Sequence, residues 1–174
     1  FNKDFVLKTC LVLSDFRDAP TKMDNFNKSN MLKIESNWDN ITKAIRLAVN
    51  LVSSFGFSRE TLTSNNAIVP IAYYLKSIGL PENYEVSTKV MGDRANLKKW
   101  LILSLLKRVF GGQPDNVLRI IRKTIQENPG EFPLQKIAIE FKGTNKTLLF
   151  SDEDIENLTW AKYGQSNTFS ILSL

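Results

Sequence analysis

Between Asp93 and Phe110 the chain carries apolar residues at helical spacing that leave almost no polar face in the middle turn. Leu97, Trp100, Leu101, Ser104 and Leu105 share one side of such a helix, and Ile102, Leu103 and Leu106 widen that side. A helix that is apolar nearly all round has to be enclosed by other elements. This segment is therefore read as the central helix of a helical domain.

The remaining sequence supplies the surrounding helices. From Ser36 to Phe55 the apolar residues Trp38, Ile41, Ile45, Ala48, Val49, Val52 and Phe55 draw one stripe. Ser36 is expected to cap its start, with Asp39 in the first turn, and Gly56 to stop it in a left-handed conformation. Val6, Leu7, Cys10 and Leu11 predict a first helix ending between Asp15 and Pro20. Pro70 places a helix start at Ile68 to Pro70, and that helix runs through Leu75 to Gly79. Pro81 to Val86 reads as a connector.

Gly111-Gly112 is expected to end the central helix. Pro114-Asp115 opens the next, with Val117, Leu118, Ile121 and Ile125 as its core stripe. Asn128-Pro129-Gly130 is a turn, and Pro133 opens a short helix closed by Gly143. Ser151 with Asp154 caps a further helix that ends by Gly164, and a last one begins from Asn167. No convincing strand alternation occurs. The expected fold is all-α, a multi-helix domain spanning 1–174 with about eight helical segments and short loops.

The residue types present narrow the chemistry. The chain holds no histidine, so imidazole general bases, Ser-His or Cys-His nucleophiles and imidazole metal ligands are excluded within it. Its one cysteine, Cys10, falls on an apolar helix face and reads as core; it cannot form an internal disulfide, which fits a reducing, cytoplasmic setting. A Walker-type glycine loop is missing. Gly111-Gly112-Gln113 reads as a tight helix–helix turn rather than a phosphate cradle. Asp152, Glu153, Asp154 and Glu156 read as complementing a helix dipole rather than binding a metal. The longest uncharged run, Thr61 to Leu75, is polar in its first half, whereas a membrane helix needs roughly 20 apolar residues. No membrane association is expected.

Charge is unevenly spread. From Val86 to Thr124 there are nine Lys or Arg against two Asp or Glu, a surplus of +7 that leaves the rest of the chain at −2 within a net +5. Lys98, Lys99, Lys107, Arg108, Arg119, Arg122 and Lys123 are the candidate nucleic-acid-binding residues, because Lys and Arg neutralise phosphates and release counterions. Arg119, Arg122 and Lys123 are spaced to share one exposed side. A solvated helix surface fits the same pattern. Trp100 and the Tyr73-Tyr74 pair could stack on bases, but their helical spacing beside Leu and Ile reads as core.

Several blocks in order resemble one family. They are Lys3-Asp4-Phe5-Val6-Leu7-Lys8 with Leu11-Val12-Leu13, then Ile34-Glu35 with Trp38, then Phe55-Gly56-Phe57. Leu62 follows, with Ser64-Asn65-Asn66-Ala67-Ile68-Val69-Pro70-Ile71-Ala72-Tyr73-Tyr74-Leu75, of which Asn66 to Leu75 is the most specific part. Lys99-Trp100-Leu101, Phe110-Gly111-Gly112, Asp115, Leu118, Ile121-Arg122 and Tyr163-Gly164 with Thr168 to Leu174 complete the set. Over nearly its whole length the chain resembles the helical middle region of GmrSD-type restriction proteins, the bacterial phage-defence family that attacks modified DNA. In that family an N-terminal domain carries an Asp-Gly-Gln-Gln-Arg motif linked to nucleotide hydrolysis, and a C-terminal domain can carry an HNH-like nuclease. Neither motif occurs in these residues. The resemblance thus implies a domain of a longer, nucleotide-dependent endonuclease, lying between those two domains, with no catalytic residue and no cofactor of its own. The implied partners are DNA, met through 86–124, and the flanking domains. The competing expectation is a protein-interaction or scaffold module with no nucleic-acid role.

Overall fold

The computed structural model describes residues 2–16, 25–160 and 168–173, and the regular elements among them are all helical. The α-helices are α1 (Lys3–Leu13), α2 (Lys28–Ser36), α3 (Trp38–Ser54), α4 (Ile68–Ser77), α5 (Met91–Leu106), α6 (Pro114–Glu127), α7 (Leu134–Glu140), α8 (Asp152–Thr159) and α9 (Thr168–Leu172). Short 3-10 turns at Asn65–Ala67 and Thr88–Val90 lead into α4 and α5. The all-α architecture is as expected. Pro20, Gly164 and Asn167, where the sequence places helix boundaries, lie outside the described residues.

Local chemistry explains most helix ends. Asn2 and Asn27 cap α1 and α2 by accepting from the backbone N–H groups of Phe5 and Asn30, at 2.9 and 3.0 Å. Ser151 and Asp154 form the expected reciprocal capping box on α8. Pro114 sits in the first turn of α6, where its missing N–H has no helical partner anyway. Helices α3 and α4 stop as the glycines require. Gly56 and Gly79 adopt φ of 91° and 87°. The next residues fold back, with Phe57 N–H on the Val52 carbonyl and Leu80 N–H on the Leu75 carbonyl.

Three sequence expectations are corrected. Ser36 does not cap α3. It ends α2, its hydroxyl donating to the Lys33 carbonyl at 3.0 Å, and α3 starts at Trp38 with no side-chain cap. The buried stripe of α3 is Ile41, Ala44, Ala48, Leu51 and Val52, so its face is centred nearer Ala44 and Leu51, and Trp38 is half exposed. Helix α5 ends at Leu106, ahead of the glycine pair. There Arg108 takes the left-handed step, at φ 46°, with Val109 N–H returning to the Ser104 carbonyl at 3.0 Å.

The most enclosed helix is α4. Every residue from Ile68 to Leu75 is buried, and α1, α3 and α6 pack around it. The expected central helix α5 is enclosed over its second half, where Trp100 is fully buried and meets Phe110 and Phe132 edge to face. Burial of α4 from Ile68 to Leu75 creates a polar problem, because Tyr73 and Tyr74 carry their hydroxyls inward. Tyr73 donates to Asp15, which also accepts from Gln126 Nε2 at 3.0 Å. Tyr74 and Tyr84 both donate to Oδ2 of Asp93, whose Oδ1 accepts the Phe132 N–H at 2.6 Å. Asp93 is itself buried. Burial, reinforced by these carboxylates, pushes all three phenol pKa values well above the ordinary range. Cys10 lies inside the same core, on α1.

Asp93→Ala is expected to leave the Tyr84 hydroxyl and the Phe132 N–H without their acceptor, while the Tyr74 hydroxyl keeps the Gly130 carbonyl at 3.0 Å. The loss should be about 3 kcal/mol or more in urea unfolding, against about 1 kcal/mol for Tyr84→Phe. Equal, small losses would mean that Asp93 does not organise this part of the core.

Candidate nucleic-acid interface

Segment 86–124 folds onto two helices with different principal neighbours. α5 packs on α7, α9 and both 3-10 turns, whereas α6 packs on α1, α4 and α7. Residues adjacent in sequence therefore face different surroundings, and each basic side chain has to be placed individually.

Lys98 and Lys99 flank the buried Trp100. Successive residues sit about 100° apart around a helix, so Lys98 is half-buried and Lys99 exposed. Neither makes an ion pair or side-chain hydrogen bond with the described residues. Arg108, past the end of α5, is exposed and likewise has no such partner. Arg119 is exposed and donates to Asn116 Oδ1, one turn earlier, at 2.7 Å. Lys123 forms a solvent-exposed i,i+4 pair with Glu127 at 3.6 Å, the kind that contributes little.

Two of the seven candidates are held inside the fold. Arg122 does not share the exposed side of Arg119 and Lys123. It is buried, and its Nη1 donates to the Phe16 carbonyl at 2.7 Å, tying α6 to the chain that follows α1. Positions 119 and 123 lie about 40° apart around the helix, while 122 is turned about 60° away from 119 towards the core. Lys107 bonds Asp154 at 2.7 Å and lies 5.3 Å from the Phe150 ring centre, fastening α8 to the end of α5. This bond, with those from Ser151, draws the Asp154 carboxyl from an ordinary 3.8 down to about 2. Arg94, also in the segment, donates to the carbonyls of Tyr84 and Ser87 and pins the connector before α5.

The two acids of the segment are also engaged internally. Asp93 is buried among tyrosines, and Asp115 pairs with Lys8 of α1 at 2.8 Å. The charge that the segment turns to solvent is consequently positive. Lys146 was not a sequence candidate. Its ammonium donates to the Gly111 carbonyl and so stands beside Arg108 and the glycine turn. Only a contact between residues 35 apart brings it there, so no local pattern signals it.

The other chemistry-bearing groups take structural places. Trp100, Tyr73 and Tyr74 are core residues, closed to base stacking. Asp152, Glu153 and Asp154 occupy the first turn of α8. Among the described residues no group of three or more His, Cys, Asp or Glu is arranged to hold a metal ion, and no helix is long and apolar enough to cross a membrane. No protein-family model matches the sequence, and no curated protein matches it.

Two outcomes check this division of roles. Arg122→Ala should cost about 2 kcal/mol of stability, whereas Lys123→Ala should stay within about 0.5 kcal/mol. The Asp154 pKa is depressed on folding, so its contribution is complete above the unfolded pKa and fades as pH falls from about 4 to about 2. Amide exchange in α8 should rise over that window, and Lys107→Met should raise it already at neutral pH. Unchanged α8 protection in Lys107→Met would show that this bond does not hold the helix.

Proposed function

We propose that this chain is a non-catalytic helical domain of a modified-DNA restriction protein of bacterial phage defence. In this reading it sits between a nucleotide-hydrolysing domain and a nuclease domain, holds them at a set geometry, and touches DNA phosphates through Lys98, Lys99, Arg108, Arg119 and Lys123. Support comes from the ordered residue blocks that resemble that family. The carrying observation is the charge left facing solvent in 86–124: these five cations and Lys89 reach the surface, while Asp93 is buried and Asp115 is neutralised by Lys8. Such a face attracts a polyanion over a Debye length of about 10 Å at 0.1 M salt. Lys107 and Arg122 leave the proposed contact set because both are engaged within the fold.

A protein-interaction module without a nucleic-acid role is the second reading. Its specific observation is that Leu32, Trp38, Ile155 and Trp160 are each about half exposed or more. Under this reading the cations are solvated or meet an acidic neighbouring domain.

Duplex DNA binding measured by fluorescence anisotropy across a salt series separates the two. The combined variant Lys98→Ala, Lys99→Ala, Arg119→Ala and Lys123→Ala should weaken binding on every sequence. Each cation that meets a phosphate should take about one unit off the slope of log K against log salt. Absence of binding by the unaltered protein at low salt would favour the interaction module.

A further inference from the structure

The end of α5 carries a conformational anomaly. Three helices of this chain finish with the same fold-back, in which the residue two beyond the helix returns its successor's N–H to the last turn. At α3 and α4 that residue is glycine; at α5 it is Arg108. A left-handed conformation costs a side-chain-bearing residue about 1 kcal/mol relative to glycine. The other non-glycine residues with positive φ are accounted for. Asp15 receives the Tyr73 hydroxyl, Leu80 packs on the core, and Asn83 is of a type that tolerates the conformation. Arg108 has neither excuse: its guanidinium projects to solvent with no described partner.

Arg108 borders a surface cleft of about 570 Å³ between the end of α5 and the turn that precedes α4. Thr63 and Ser64 line the facing wall, and their hydroxyls make no hydrogen bond with the described residues. Gly111 closes one end. Its carbonyl holds the Lys146 ammonium, which keeps two further N–H donors. A side chain at 111 would crowd the Arg108 carbonyl, its Cβ falling 3.2 Å away. Glu60 stands in the same cleft, and its carboxyl is held below the ordinary range chiefly by the Ser58 hydroxyl.

We infer that this cleft is a phosphate-binding site for the nucleic-acid backbone, with Arg108 and Lys146 supplying the charge and Thr63 and Ser64 the neutral donors. The inference rests on the DNA-binding reading above and adds to it a defined site and the residues Lys146, Thr63 and Ser64. It also gives a use to an arginine at a position suited to glycine, because Arg108 lines the cleft. Glu60 opposes the phosphate and limits its affinity.

The test uses the intact chain and a fluorescent DNA duplex in the same salt series. Arg108→Gly relieves the backbone conformation, so its Tm should equal or exceed that of the unaltered protein. Its DNA affinity should nonetheless fall about five-fold or more at low salt, with about one unit lost from the salt slope. Lys146→Ala should do the same. Glu60→Gln should tighten binding two-fold or more, a gain that a merely structural glutamate would not yield. If the unaltered protein binds DNA, and the four-site variant at 98, 99, 119 and 123 weakens it, while Arg108→Gly, Lys146→Ala and Glu60→Gln leave affinity and slope unchanged, the cleft inference alone is overturned. If the unaltered protein does not bind DNA at low salt, the functional reading fails and this inference with it.

Discussion

Two neighbouring tyrosines on a helix enclosed over its first eight residues set the terms for the rest of the molecule. A helix buried on all sides normally excludes hydroxyls, since each one left without an acceptor carries a penalty of about 1–3 kcal/mol. α4 keeps Tyr73 and Tyr74 because each meets an aspartate brought from elsewhere in the chain. These aspartates fix the surroundings in turn. Asp93 links the start of α5, the connector at Tyr84 and the Phe132 backbone. Asp15 links the end of α1 to Gln126 of α6. The apolar contacts supply most of the driving force, and these two carboxylates tie the hydroxyls of α4 to the chain around it.

That division also explains what could be read from the residues beforehand. Helix existence, the stops at Gly56 and Gly79, the start at Pro114 and the capping box at Ser151 depend on neighbours within four or five positions, and all were legible. Ser36 misled because its hydroxyl has two local uses and the carbonyl of Lys33 lies closer than the next helix. Trp38 misled because periodicity marks a face without saying what will cover it. The dominance of α4 over α5 was hidden for a different reason: Tyr73 and Tyr74 read as core, but the acceptors that let their hydroxyls be buried, Asp15 and Asp93, come from 58 and 19 residues away.

The candidate interface was legible as a quantity of charge and illegible as a surface. A count of basic residues in 86–124 treats Arg122 and Lys99 alike, yet one is closed over by the Phe16 carbonyl and the other faces water. Lys107 is diverted to Asp154, 47 positions on, and Lys146 arrives beside Gly111 across 35. The engagement of both acids in internal contacts adds to the effect of the cations, since it removes the opposing charge a partner would meet without changing the net charge.

The burial of Cys10 gives the molecule a built-in gauge of its own breathing. The chain's one thiol sits in the core on α1, 2% exposed, and burial raises its pKa, so in the closed state it is both shielded and poor in thiolate. A thiol reagent can reach it only when α1 lifts from its neighbours. The labelling rate therefore measures the opening free energy of that single unit, separately from unfolding of the whole. Because α1 is joined to α6 through Lys8 and Asp115, an event on the basic face that strained α6 would register at Cys10 without any introduced probe.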